Sequence, residues 1–77
     1  MTRRKLPALS AQDLIRALAR AGYAVDRVKG SHHHLRNPAK PEARVVVPMH
    51  RGDLPPGTLR AILRQAGLTV EEFLDLL

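Results

Sequence analysis

Cysteine and tryptophan are missing from all 77 residues, and the aromatic share is 3 %, with Tyr23 and Phe73 its only members. The first absence excludes a disulfide framework, a thiolate nucleophile and a cysteine-ligated zinc site. Scarce aromatics leave the core to Leu, Ile, Val and Ala, and remove the platforms on which single-stranded nucleic acids usually stack. No apolar run approaches the ~20 residues that span a bilayer. The start, Met1-Thr2-Arg3-Arg4-Lys5-Leu6-Pro7, lacks the apolar segment of a signal peptide, so a cytoplasmic protein is the default expectation.

Acidic residues are few as well. Seven Asp and Glu stand against thirteen Lys and Arg, a net charge of +6, and ten of the thirteen cations are arginine. Because the guanidinium fork matches phosphate oxygens, this balance points to RNA or DNA, an anionic membrane or an acidic protein; a merely soluble basic surface is the alternative. A chain this short makes one small domain, whose core supplies only roughly 3 to 5 kcal/mol of net stability. A large enclosed pocket is not expected.

Residues 1–8 read as a basic, flexible lead-in, and residues 9–77 as a single domain. A helix is expected to start at Ser10, with Asp13 as its capping-box partner and Leu9 stapled against Leu14. Leu14, Ile15, Leu18 and Ala21 recur at helical spacing, and Gly22 ends the run. Tyr23 to Val28 suits a partly buried strand, Lys29-Gly30-Ser31 a tight turn, and His32 to Arg36 a second strand. Beyond the loop Asn37-Pro38-Ala39-Lys40-Pro41-Glu42, the β-branched stretch Ala43 to Val47 makes a third. A second helix follows the Pro55-Pro56 pair and closes at Gly67, and Thr69 with Glu72 caps a short third helix. The order is helix, three strands, helix, short helix, an α+β domain whose three-stranded antiparallel sheet carries its helices on one face.

One face of the sheet is then open. Alternation places His33 with Leu35 on one side and His32, His34 and Arg36 on the other. The stretch Lys29-Gly30-Ser31-His32-His33-His34-Leu35-Arg36 therefore concentrates imidazoles and cations beside a glycine turn. Imidazole accepts and donates protons near neutral pH, and in a chain this basic its natural substrate is a phosphodiester.

Four segments carry a resemblance. They are the Ala21-Gly22-Tyr23 helix end, Arg27-Val28-Lys29-Gly30-Ser31-His32, the strand exit Val47-Pro48-Met49-His50, and Pro56-Gly57-Thr58-Leu59-Arg60-Ala61-Ile62-Leu63-Arg64-Gln65-Ala66-Gly67-Leu68. Together, from about Leu6 to Leu77, they resemble the HicA toxin family of bacterial and archaeal toxin–antitoxin systems. That resemblance implies a double-stranded-RNA-binding-domain-like α-β-β-β-α fold used as a ribosome-independent endoribonuclease that cuts mRNA. It implies that the histidine after Gly-Ser, here His32, is essential, and that a HicB antitoxin masks the active surface. One departure bears on the fold analogy. Noncatalytic members of that fold carry lysines where the second helix starts, and this chain has Pro55-Pro56-Gly57-Thr58.

RNA brings its own nucleophile, the 2′-hydroxyl, so cleavage needs a base, an acid and cations for the phosphorane-like charge. One positioned acid–base group contributes roughly 10²- to 10⁴-fold. On this reading His32 is the acid or base, and Lys29, Arg36, Arg44 and Arg51 hold phosphate. A turn-flanking surface histidine is the plainer alternative. His34 and His50 are candidates for the second proton-transfer group, though His34 could equally be a solvated strand residue; His33 should point inward, hydrogen-bonded or edge-packed. Neighbouring strand residues diverge, so the three consecutive histidines cannot chelate one ion together, and neither metal nor cofactor is expected. A noncatalytic RNA-binding module and a basic interaction protein are the competing functions.

Overall fold

The computed structural model describes residues 4–77. Ser10 adopts the extended conformation of an N-cap, and its Oγ accepts from the backbone N–H of Asp13 at 3.1 Å, which starts helix α1 (Ala11–Arg20). Asp13 completes only half of the expected capping box: its carboxylate turns instead to Arg16, 3.5 Å away. At the other end Tyr23 N–H bonds to the Leu18 carbonyl and Gly22 N–H to that of Ala19, both at 3.1 Å. This pair of bonds is a Schellman motif. It requires a left-handed residue, and Gly22 supplies one with φ +99°.

Strand β1 spans Ala24–Lys29, β2 His32–Arg36 and β3 Val45–Pro48, paired antiparallel in the order β1-β2-β3. Lys29 pairs with His32, so the β1–β2 connection is the two residues Gly30 and Ser31. Gly30 takes φ +59° at the first central position, as a type II′ turn demands. Helix α2 (Pro56–Gln65) begins with proline at its first turn, where a missing N–H costs nothing, and ends in a second Schellman pair, Leu68 N–H to Leu63 and Gly67 N–H to Arg64. Thr69 and Glu72 form the expected capping box on α3 (Val70–Leu74), at 3.0 and 2.9 Å.

The core gathers on one side of the sheet. Leu35, Val45 and Val47 are buried with Leu14 and Leu18 of α1, Leu59, Ile62 and Leu63 of α2, and Phe73 of α3. The two aromatics serve it differently. Phe73 is fully enclosed, while Tyr23, also buried, donates its hydroxyl to the Ala66 carbonyl at 2.8 Å and so ties the start of the sheet to the end of α2. Asn37 performs a similar service after β2: its Nδ2 donates to the Ala21 carbonyl and its Oδ1 accepts from Ala39 N–H, both at 3.0 Å. That bonding explains how a polar side chain comes to be buried there.

Two expectations are corrected. The first strand is not partly buried: Tyr23 lies before it, and all six residues of β1 are exposed. β1 is an edge strand, and although α1 contacts it every residue of the strand stays exposed, so its apolar residues Val25 and Val28 do not reach burial. β3 also starts and ends later than Ala43 and Val47, because Pro48 still pairs with His32. Within the lead-in, residues 1–3 lie outside the described residues. Arg4 bonds to Glu71 and Asp75, each at 3.0 Å, and Leu6 packs against the core.

Candidate functional site

Backbone register decides which side chains meet on the open face. Leu35 is fully buried on the helical side, so His34 and Arg36 on either side of it point the other way, and His32 joins them. Cross-strand pairing then sets Lys29 of β1 and Pro48 of β3 beside His32, and Arg27 and Val46 beside His34. Directly opposed side chains stand about 5 Å apart at Cβ, and His32 and His34 about 7 Å apart along the strand. Two imidazoles with a cation each thus form a small square on the sheet face opposite the described helices.

Arg36 and Arg44 extend this square. Together with Arg27, His34 and Asp26 they line a shallow depression of about 260 Å³ on the same face. Arg27, Lys29, Arg36 and Arg44 are all exposed, and none of them is in an ion pair among the described residues. Four cations against the single carboxylate of Asp26 make a field attractive to phosphate. His32 is exposed and His34 half-buried, so the first is open to a polymer and the second is held more firmly against the strand.

Arg27 is the residue that the sequence reading passed over. Its signal was available, since it stands two residues from Lys29 and alternation puts both on one face. What the sequence hid was the β-bulge between Val25 and Arg27, which leaves Asp26 as an extra residue and sets the pairing of Arg27 with His34.

His50 and Arg51 fall elsewhere. Met49 N–H bonds to the Ser31 carbonyl at 2.7 Å, which continues the β2–β3 ladder alongside the turn. Both residues leave the sheet just beyond that bond, at the end where His32 sits, exposed and outside the depression around His34. Ser31 contributes its carbonyl to the ladder. His33 points inward between Val28 and Val47, half-buried, and its Nδ1 is buried without a hydrogen-bond partner. No group of three His, Asp or Glu side chains placed to hold a metal ion occurs among the described residues.

Arg60 and Arg64 stand on α2, away from this face, with Gln65 between that helix and the sheet. Gln65 Oε1 accepts from Val46 N–H at 3.1 Å. The basic surface that carries histidine is therefore the sheet itself. No described helix is long and apolar enough to cross a membrane.

Compared with protein families, residues 11–68 match the one described as HicA toxin of bacterial toxin-antitoxin. The match runs from the first residue of α1 through the end of the α2 Schellman motif and includes every residue of the open face described above. A comparison with curated proteins found no match.

Proposed function

Since the chain belongs to the HicA toxin family and is the toxin of a toxin–antitoxin system, we propose that it acts as an endoribonuclease whose reaction centre is the open sheet face around His32. The observation that carries this reading is the square of Lys29, His32, Arg27 and His34 on the sheet face opposite the one that the described helices bury. It offers a proton acceptor, a proton donor and unpaired cations within one phosphate's reach.

The chemistry follows from those groups. His32 takes the proton of an RNA 2′-hydroxyl, whose oxygen attacks the adjacent phosphorus. The bond from phosphorus to the 5′-oxygen breaks, and a second acid returns a proton to that leaving oxygen. His34, on the same face, fills the second role, since side chains about 7 Å apart at their bases can flank a single phosphate. Lys29 and Arg27 face the two imidazoles and stabilise charge that grows on the non-bridging oxygens, with Arg36 and Arg44 holding neighbouring phosphates. Messenger RNA is the substrate this reading assigns, and a HicB-type antitoxin the protein that restrains it. Covering the sheet face with acidic or apolar surface would block the scissile phosphate and neutralise its cations together.

The test is cleavage of RNA by the purified chain and by His32→Ala. Exposure of His32 predicts an unchanged fold by circular dichroism and a loss of at least the ~10²-fold that one acid–base group supplies. A folded His32→Ala protein with full activity refutes the assignment. Retained RNA affinity with no cleavage by the unmutated chain would favour the noncatalytic binding module.

A further inference from the structure

The two edges of the sheet are finished differently. At β3 the outward N–H of Val46 is taken by Gln65, and Pro48 has no N–H to present. Among the described residues nothing comparable protects β1, whose six residues are all exposed and include Val25 at 44 % and Val28 at 54 %.

Ladder geometry identifies the free groups. The bond from Met49 N–H to Ser31 C=O makes Ser31, His33 and Leu35 the residues of β2 that bond towards β3. His32, His34 and Arg36 then bond towards β1, to Lys29, Arg27 and Ala24. Opposite His33 and Leu35, Val28 and Val25 turn their N–H and C=O groups outward, away from the sheet. The bulge at Asp26 sets these two residues three apart in sequence yet keeps both side chains on the helical side of the sheet.

We propose that this edge pairs with the same edge of a second copy, antiparallel about a two-fold axis between Asp26 and Arg27. In that register Val25 of one copy lies opposite Val28 of the other and exchanges backbone hydrogen bonds with it. Asp26, exposed and without an ion pair among the described residues, faces Arg27 of the second copy. Ala24 faces Lys29. Sliding by one residue in either direction sets Asp26 against Asp26 or Arg27 against Arg27, so charge selects the register as well as permitting it. The valines of both copies meet on one side, where they cover apolar surface that each monomer leaves in water. Such an interface is self-complementary, as two-fold symmetry requires. The outcome is a continuous six-stranded sheet in which two histidine-bearing faces lie side by side.

Two short strands bury less than the ~1,200 Å² of a standard interface, and each copy carries +6, so the dimer is weak and calls for enough salt to screen the repulsion. Sedimentation equilibrium of the full chain, from about 20 µM to about 1 mM in about 0.2 M salt, should show the average mass rising from 8.5 kDa towards twice that value. Val28→Pro deletes an N–H that faces away from the fold, so it should weaken association about tenfold or more with little change in the melting temperature. Asp26→Arg should weaken it too, and Asp26→Arg combined with Arg27→Asp should restore it. Amide shifts on dilution should centre on Val25 and Val28. A chain that stays at 8.5 kDa throughout the range overturns the proposal. Undiminished association of folded Val28→Pro and Asp26→Arg proteins does so as well, by placing the contact on another surface.

Discussion

Gly22→Ala and Gly30→Ala look like equal insults in the sequence and should differ about two- to threefold in cost. Both glycines sit at positive φ, +99° and +59°, where an alanine is strained by about 1–2 kcal/mol. At Gly30 that is the whole penalty, because an added Cβ meets nothing within 4 Å. At Gly22 the same atom would lie 3.0 Å from Asn37 Oδ1 and 3.2 Å from its Nδ2. Asn37 is 5 % exposed and cannot swing away without loosening its two 3.0 Å bonds to Ala21 and Ala39, each worth about 1 kcal/mol. The Gly22 substitution should therefore cost about 3–4 kcal/mol, close to the whole ~3–5 kcal/mol that a core of this size supplies. At about 4–8 °C per kcal/mol, thermal melts should show Gly30→Ala losing of order 10 °C and Gly22→Ala approaching unfolding at room temperature. Urea midpoints would give the free energies, and Asn37→Ala provides the cross-check. In that background the added cost of Gly22→Ala should fall by about 2 kcal/mol, towards its backbone part. Equal costs at the two glycines, or strict additivity of Gly22→Ala with Asn37→Ala, would refute the reasoning.

Two further outcomes are expected. Arg27→Ala should lower the slope of log affinity against log salt for single-stranded RNA by about 0.7, the contribution of one phosphate contact, whereas Arg16→Ala on α1 should leave it unchanged; filter binding across a salt series distinguishes them. Glu72 is held below the usual carboxylate range by the Thr69 backbone N–H and then by its hydroxyl, so the stability it contributes is present above the normal carboxylate pKa and disappears as pH falls through its lowered one. Acid titration followed by circular dichroism should show that Glu72→Gln removes this part of the pH dependence and leaves the protein's stability at neutral pH only slightly lower.

Much of the fold was legible because its decisive features are local. Ser10, Thr69 and Glu72 announce helix starts, Gly22 and Gly67 helix ends, and Gly30 a two-residue hairpin, each through bonds spanning only a few residues. Alternation in His32 to Arg36 likewise separated the inward Leu35 from the outward histidines. What could not be read depends on elements distant in the chain. The sequence of Tyr23 to Val28 does not reveal that the helices leave every residue of β1 exposed, nor that one residue too many at Asp26 bends its register. Asn37 looks like an ordinary loop residue until Ala21 and Gly22 are brought beside it. Arg27 was missed for a lesser reason: its alternation with Lys29 was visible, and its neighbour His34 was not.

The nature of the cut ends tests the central claim most directly. If His32 draws the proton from a 2′-hydroxyl and the sheet-face cations hold the phosphate, mass spectrometry of RNA fragments should find 2′,3′-cyclic phosphates upstream and 5′-hydroxyls downstream, with the reaction undiminished by excess EDTA. Fragments bearing 5′-phosphates, formed only while a divalent cation is available, would contradict it and point to a metal-activated water in place of the histidine pair.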